Sequence, residues 1–200
     1  MDLNKIRLDH QIIYDIVEPG SRILDLGCGS GELMLLLEKG KNAQVQGIEL
    51  DEGAIYQCVE KGLSVFHGDI DSGLSEYPDK SFDCVILNQS MQQVRRADFV
   101  ITEALRVGKS TIVGFPNFAY WPARLMFLKG RAPITASLPY RWYDTPNLHF
   151  LSVSDFWDYC RRKNIRVLRS QFVAGRCRIK FWPNLFASSA IFLISRLEAD

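Results

Sequence analysis

The sequence predicts an α/β fold: a doubly wound, mostly parallel sheet of about seven strands, with an antiparallel last strand and an insertion after strand five. Three observations predict it. Short apolar runs alternate with helix-period stretches between residues 22 and 116, the rhythm of a parallel sheet with crossover helices. The run Asp25-Leu-Gly27-Cys28-Gly29-Ser-Gly31 stands where the first strand gives way to a helix. Two late strand patterns follow one another without an intervening helix, so they should pair antiparallel.

Taken in order, LNKIRLDHQIIYDIVEPG places Ile6, Ile12, Ile13, Ile16 and Val17 at roughly helical spacing and stops at Pro19-Gly20, a lead-in helix. SRILDLG reads as strand, GELMLLLEK as helix, AQVQGIEL as strand, EGAIYQCVEKG as helix and LSVFHGD as strand. SFDCVILN continues as a buried strand, ADFVITEALRVG as a helix ending at Gly108, and STIVGFPN as the fifth strand. Residues 116–150 show no sustained period and carry Pro116, Pro122, Pro133, Pro139 and Pro146, which predicts an insertion with at most short helices. Ser154 can cap the helix SDFWDYCRRKN, whose Phe156, Tyr159 and Cys160 share a face; Trp157 is expected in the core. IRVLRSQFV and SSAIFLISR are the two late strands, joined by a basic segment. The simplest organisation is one domain over residues 1–200, with 116–150 inserted as a lid or docking segment.

Composition narrows the classes. The chain has 200 residues, 47% hydrophobic and 24% charged, as a globular core requires and a disordered or fibrous chain does not. No apolar run approaches the roughly 18 residues that cross a bilayer, and MDLNKIRLDH shows neither a signal nor a transit pattern, so a cytoplasmic location is expected. Five cysteines without a close pair and three scattered histidines indicate neither a disulfide framework nor a metal site. The net charge of +1 hides an asymmetry: −7 over residues 1–114 against +8 over residues 115–200, where 17 of the 23 aromatic residues also lie. A basic, aromatic half suits a protein partner, a nucleic acid, or a solvated face over an aromatic core.

The chemistry concentrates in the glycine run. Glycines let the chain turn sharply and a ligand approach the backbone, while the helix N-terminus offers free N–H groups. A dinucleotide fingerprint would need glycine at position 32, where the chain has Glu32. The spacing here is G-x-G-x-G, with Asp25 before it in the same strand. Glu49 closes the second strand, where a carboxylate can accept both hydroxyls of a ribose, and His67-Gly68-Asp69 puts a third acid at the end of the next. The three acids converge on the carboxyl edge, where open α/β sheets bind ligands. The plainer reading of the same residues is a glycine turn with Glu49 and Asp69 as exposed loop acids.

This run resembles the class I S-adenosylmethionine-dependent methyltransferases over about residues 20–115. The resemblance implies that Asp25, Gly27, Gly29 and Gly31 wrap the amino-acid part of S-adenosylmethionine or S-adenosylhomocysteine, that Glu49 takes the ribose, and that Asp69 takes the adenine amino group. Cys28, Leu50, Gly68, Ile70 and Asn88 are their expected neighbours in the cofactor site. Beyond the cofactor the pattern thins. After the fourth strand, Asn88-Gln89-Ser90-Met91-Gln92-Gln93-Val94 holds no titratable side chain, and the N-P-P-Y run of amine methylators is absent. Asn88 and Gln92 can hydrogen-bond cofactor or substrate, yet polar residues at a strand end are equally ordinary. His149, a lone histidine and more often structural than catalytic, completes the weak catalytic candidates.

Residues 142–150, WYDTPNLHF, resemble the signature of the MetW group of methionine-biosynthesis proteins, and VILNQSMQQV is similar to that group's pattern after strand four. The likeness runs from about residue 10 to residue 196. It implies a methyltransferase-like fold working beside a homoserine O-acyltransferase, with methylation of any substrate left open. Trp121, Tyr140, Trp142 and Tyr143, in or beside the proline-rich insertion, are the candidate partner contacts. Three functions follow: an S-adenosylmethionine-binding accessory of the acyltransferase; a small-molecule methyltransferase; and RNA binding through Arg161, Arg162, Lys163, Arg166, Arg169, Arg176, Arg178 and Lys180. That basic run straddles a helix end and two strands, where Lys and Arg ordinarily meet a helix C-terminus or face water.

Overall fold

The structure, a computed structural model, describes residues 6–197, so residues 3–5 of the predicted lead-in helix lie outside it. Five parallel strands, β1 (Arg22–Leu26), β2 (Gln44–Glu49), β3 (Ser64–His67), β4 (Phe82–Asn88) and β5 (Gly108–Pro116), form the first part of the sheet. Antiparallel to β5 lies β8 (Ser189–Arg196), followed by β6 (Ile165–Ala174) and the two-residue β7 (Cys177–Arg178). The order is β3-β2-β1-β4-β5-β8-β6-β7. The eighth strand arises because the chain after β6 turns back at Gly175, with φ +58°, and pairs briefly before leaving the sheet.

Each strand sends alternate residues to opposite faces. Ile23, Ile86, Ile112 and Ile191 pack with Ile12 and Ile13 of α1 (Leu8–Ile16) and Leu33, Met34 and Leu37 of α2 (Glu32–Lys41). Their neighbours Leu24, Val85, Val113 and Phe192 face the other layer, with Ile101 and Ala104 of α4 (Ala97–Val107) and Phe156 and Cys160 of α6 (Val153–Arg162). This period of two is what makes central strands read as continuous apolar runs. Helix α3 (Glu52–Glu60) connects β2 to β3; its N-cap Asp51 accepts the Ala54 N–H at 2.7 Å.

Two local expectations are corrected. The cap of α6 is Ser152, not Ser154: Ser152 and Asp155 exchange side-chain and backbone hydrogen bonds in a full capping box, a pairing unavailable two residues later. Trp157 is 38% exposed and touches the core only edge-on, with its ring 5.4 Å from that of Phe192, because Phe156 and Cys160 already occupy the inward face.

Within residues 116–150 the helix α5 (Trp121–Leu128) starts with Pro122 in its first turn, where the missing N–H is harmless. The rest is irregular to α6. Buried Asn117, at the end of β5, fastens this segment: its amide donates to Ala187 and Asn184 carbonyls beside α7 (Pro183–Phe186), and its Oδ1 accepts from Ala119 and Val153.

Candidate functional site

The strand order reverses direction between β1 and β4, and a cleft of about 830 Å³ opens there on the carboxyl edge. Its floor is the glycine loop. Gly27 and Gly31 have φ of +74° and +77°, and a Cβ would sit 2.8 Å from Ser90 Cβ and 2.4 Å from Leu63 Cδ1 respectively. Both positions therefore need glycine for backbone and for space. Gly29, with φ +54°, has nothing within 4 Å of the position its Cβ would take.

Of the predicted cofactor residues, Asp25, Gly27, Cys28, Gly29, Glu49, Leu50, Gly68, Asp69, Ile70 and Asn88 line this cleft. Gly31 caps α2 behind it. Asp25 is 3% exposed, and burial, reinforced by the nearby Glu49 charge, pushes its carboxyl up to about 7. Glu49 is the hub of the loop: Oε2 accepts the Gly29 N–H at 2.7 Å, while Oε1 accepts those of Leu50 and Asp51 at 2.8 and 3.0 Å. Asp69 uses Oδ1 to accept the Asp71 N–H at 2.9 Å, starting a single turn over Ile70–Ser72. The Cys28 thiol is raised by burial and by the Asp25 charge, so it stays protonated and acts as a small wall of the cleft.

The weak catalytic candidates separate. Asn88 reaches the cleft, and Gly114 on β5 makes room for its amide, since a Cβ there would lie 2.2 Å from Asn88 Oδ1. Gln92 turns inward, 3% exposed, and donates to the Gln89 carbonyl at 2.8 Å; its place in the cleft is taken by Gln89, Ser90, Gln93 and Val94. His149 does not line the cleft; its backbone N–H is bonded to the Gln92 carbonyl at 3.1 Å. Of the partner candidates, Tyr140 lines the cleft while Trp121, Trp142 and Tyr143 are exposed, Trp142 by 77%. The basic run is partly neutralised by the chain's own carboxylates: Arg161 pairs with Asp158, Lys163 with Asp98 and Arg178 with Asp15.

Sequence reasoning missed a second polar group in the cleft. Arg7 and His10, at the start of α1, line it. Arg7 donates twice to Asp9, at 3.1 and 2.7 Å, and Asn88 Nδ2 donates to the same carboxylate at 3.1 Å. Burial works to raise the Asp9 carboxyl, but the His10 and Arg7 charges and these hydrogen bonds outweigh it and hold the group below its usual range. Burial, opposed in part by the Asp9 charge, lowers His10, so its imidazole is mainly neutral near pH 7 and carries the charge that Asp9 feels only at the acid pH where Asp9 itself titrates. The available signal was Asp9-His10 on the buried side of an otherwise amphipathic helix.

The cleft thus brings together the glycine loop and the carboxylates of Asp25, Glu49 and Asp69, from the ends of three neighbouring parallel strands. Among the described residues no group of histidines, cysteines and acids is arranged to hold a metal ion, and no helix is long and apolar enough to cross a membrane. Comparison with solved structures agrees at the level of fold. An S-adenosylmethionine-dependent methyltransferase from Thermotoga maritima superposes with a TM-score of 0.68 at 18% identity, over 95% of this chain and 88% of that one. A ribosomal protein L11 methyltransferase of Burkholderia mallei is 35% identical over 83 residues, 41% of this chain and 27% of that protein. The "Bifunctional methionine biosynthesis protein MetXA/MetW" of Rhodopirellula baltica is 30% identical over 96% of this chain, which spans only 33% of that protein's length. The family model described as "Methionine biosynthesis protein MetW" matches residues 7–194. The chain thus belongs to the MetW family of methionine-biosynthesis proteins.

Proposed function

We propose that the protein binds S-adenosylmethionine or S-adenosylhomocysteine and supports or regulates a homoserine O-acyltransferase. The observation that carries the partner is the Rhodopirellula baltica relative, in which a MetXA part and a MetW part share one chain. We read MetXA as the acyltransferase that the family resemblance implies; fusion of two parts into one chain fits proteins that act together. In this reading Gly27 and Gly29 approach the amino-acid part of the cofactor, Glu49 accepts the ribose hydroxyls, and Asp69 faces the adenine amino group. Asp25 balances the cationic end. The cofactor, when bound, would supply an electrophilic methyl group; between Asn88 and Val94 no side chain could take a proton from an acceptor.

A second reading, a small-molecule methyltransferase, is favoured by one feature, the neutral His10 in the cleft beside Asp9. A proton acceptor lining the cleft is what an oxygen or ammonium acceptor would require. The deciding experiment expresses this chain and the acyltransferase of the same cells separately and together, then measures co-elution and acyl transfer to homoserine. Acyltransferase activity that is full when alone, with no co-elution at micromolar concentration, overturns the accessory reading. Substrate-dependent release of S-adenosylhomocysteine then supports the second.

A further inference from the structure

We propose that the exposed aromatic face of residues 140–150 is where the acyltransferase docks, and that occupancy of the cleft controls docking through the contact between residues 89–94 and 147–150. The proposal rests on the partner reading above.

The face is unusual for water. Trp142, Tyr143, Leu148 and Phe150 are each more than half exposed within nine residues, and Tyr140 continues the row into the cleft. The row is held in place: the Phe150 ring packs edge-on against Phe118 at 4.8 Å, and Trp142 against Tyr143 at 5.5 Å. Large apolar side chains exposed this densely within one short segment mark interaction sites. The relative that joins a MetXA part to a MetW part identifies the occupant. Charge adds a requirement. Residues 116–150 carry Arg124, Lys129, Arg131 and Arg141 against Asp144, so the partner should offer carboxylates around an apolar recess.

The coupling is read from hydrogen bonds. Gln89, Ser90, Gln93 and Val94 line the cleft, and the residue between them that turns away, Gln92, holds the docking segment. Its carbonyl accepts both the Leu148 N–H at 2.8 Å and the His149 N–H at 3.1 Å. Its side chain donates back to the Gln89 carbonyl, and Gln89 itself sits at φ +62°, a conformation that favours glycine. A ligand that moves Gln89 or Gln93 therefore moves the anchor of Leu148 and His149.

The junction also holds unspent hydrogen-bonding capacity. Gln92 Oε1, Asn147 Oδ1 and His149 Nε2 are buried atoms without a hydrogen-bond partner, and Gln92 and Asn147 are 3% and 8% exposed. Buried polar atoms are normally paired. A rearrangement in which a protonated His149 Nε2 donates to one of the two amide oxygens would pair two of these three atoms, and two arrangements of one contact are what energetic coupling between sites needs.

The test uses the intact chain, the acyltransferase of the same cells, and S-adenosylhomocysteine as the probe. Affinity for the acyltransferase should change by about fivefold or more when the probe saturates the cleft, and probe affinity should change by the same factor when the acyltransferase is present. Hydrogen exchange at the Leu148 and His149 amides should change on adding the probe alone. Trp142→Ala and Tyr143→Ala should each weaken the complex by about tenfold or more while leaving probe affinity unchanged. If the probe binds and the complex forms, yet neither affinity nor the exchange of these amides responds, the coupling is overturned and the partner reading stands. Full complex affinity in both variants overturns the docking face. Failure of the probe or of the acyltransferase to bind at all overturns the underlying reading, and the coupling with it.

Discussion

Glu49 Oε2 accepts the Gly29 N–H at 2.7 Å, so one carboxylate ties the end of β2 to the turn that forms the cleft floor. The same group, in the proposed function, receives the ribose. Glu49→Gln keeps the size and removes the charge. Since a hydrogen bond to a charged group contributes about 1.5–3 kcal/mol, S-adenosylhomocysteine affinity should fall by about one to two decades. Calorimetry measures it, and unchanged affinity would remove Glu49 from the site.

The glycines should respond unequally. Gly31→Ala combines a left-handed φ with a 2.4 Å approach to Leu63 and should destabilise the protein by at least about 1 kcal/mol in urea unfolding. Gly29→Ala pays the backbone term without the clash, so its stability loss should be the smaller. Its effect on cofactor affinity should be the larger, because the added methyl projects from the floor of the cleft. Equal stability losses would contradict the packing described for Gly31.

Asp25, buried and raised to about 7, makes a pH prediction of definite sign. An acid with a raised folded pKa holds its proton more tightly in the native chain than in the unfolded one. Its contribution therefore makes the protein less stable as pH rises from about 4 to about 7. Asp25→Asn should abolish that part of the slope and be the more stable protein above pH 7. A cationic cofactor favours the ionised carboxylate, so affinity for S-adenosylmethionine should rise with pH through 7 in the intact protein and lose that rise in Asp25→Asn. Titrations at pH 6 and pH 8 decide it.

Asp9 has the opposite sign. Its carboxyl is held below the usual range, so its stabilising contribution is present above the unfolded value and is lost as pH falls through the lower folded value. Asp9→Asn should remove that part of the acid loss, leaving the parts due to Asp71, Asp83, Asp98 and Glu103, which are also held low, while loosening Arg7 at the cleft. Acid unfolding of the two proteins, followed by circular dichroism, makes the comparison.

In the core, Ile86 is fully buried among Ile23, Met34 and Ile112 on the α1–α2 face. Ile86→Ala should cost about 2–5 kcal/mol in urea unfolding, the usual price of a large-to-small change in a rigid layer. A loss below about 1 kcal/mol would mean that the layer closes over the gap.

Much of this was legible from local pattern. The alternation of apolar runs, the positive-φ glycines after Asp25 and the acids at Glu49 and Asp69 are properties of short segments, and parallel connectivity with crossovers brings all their strand ends to one edge. The antiparallel ending followed from two strands without a crossover helix between them; the four-residue α7 that does lie there is too short to carry the chain back for a parallel pairing. What only the tertiary structure decided depends on contacts distant in sequence. Asn88 meets Asp9 across 79 residues, which puts Arg7 and His10 in the cleft although their helix reads as a plain lead-in. Gln92, indistinguishable by type from Gln93, turns away from the cleft and binds Leu148 and His149 instead. The period of a segment determines which face is buried, because that follows from backbone geometry. Which neighbour lies against that face is determined by packing of the whole chain, where no local pattern reaches.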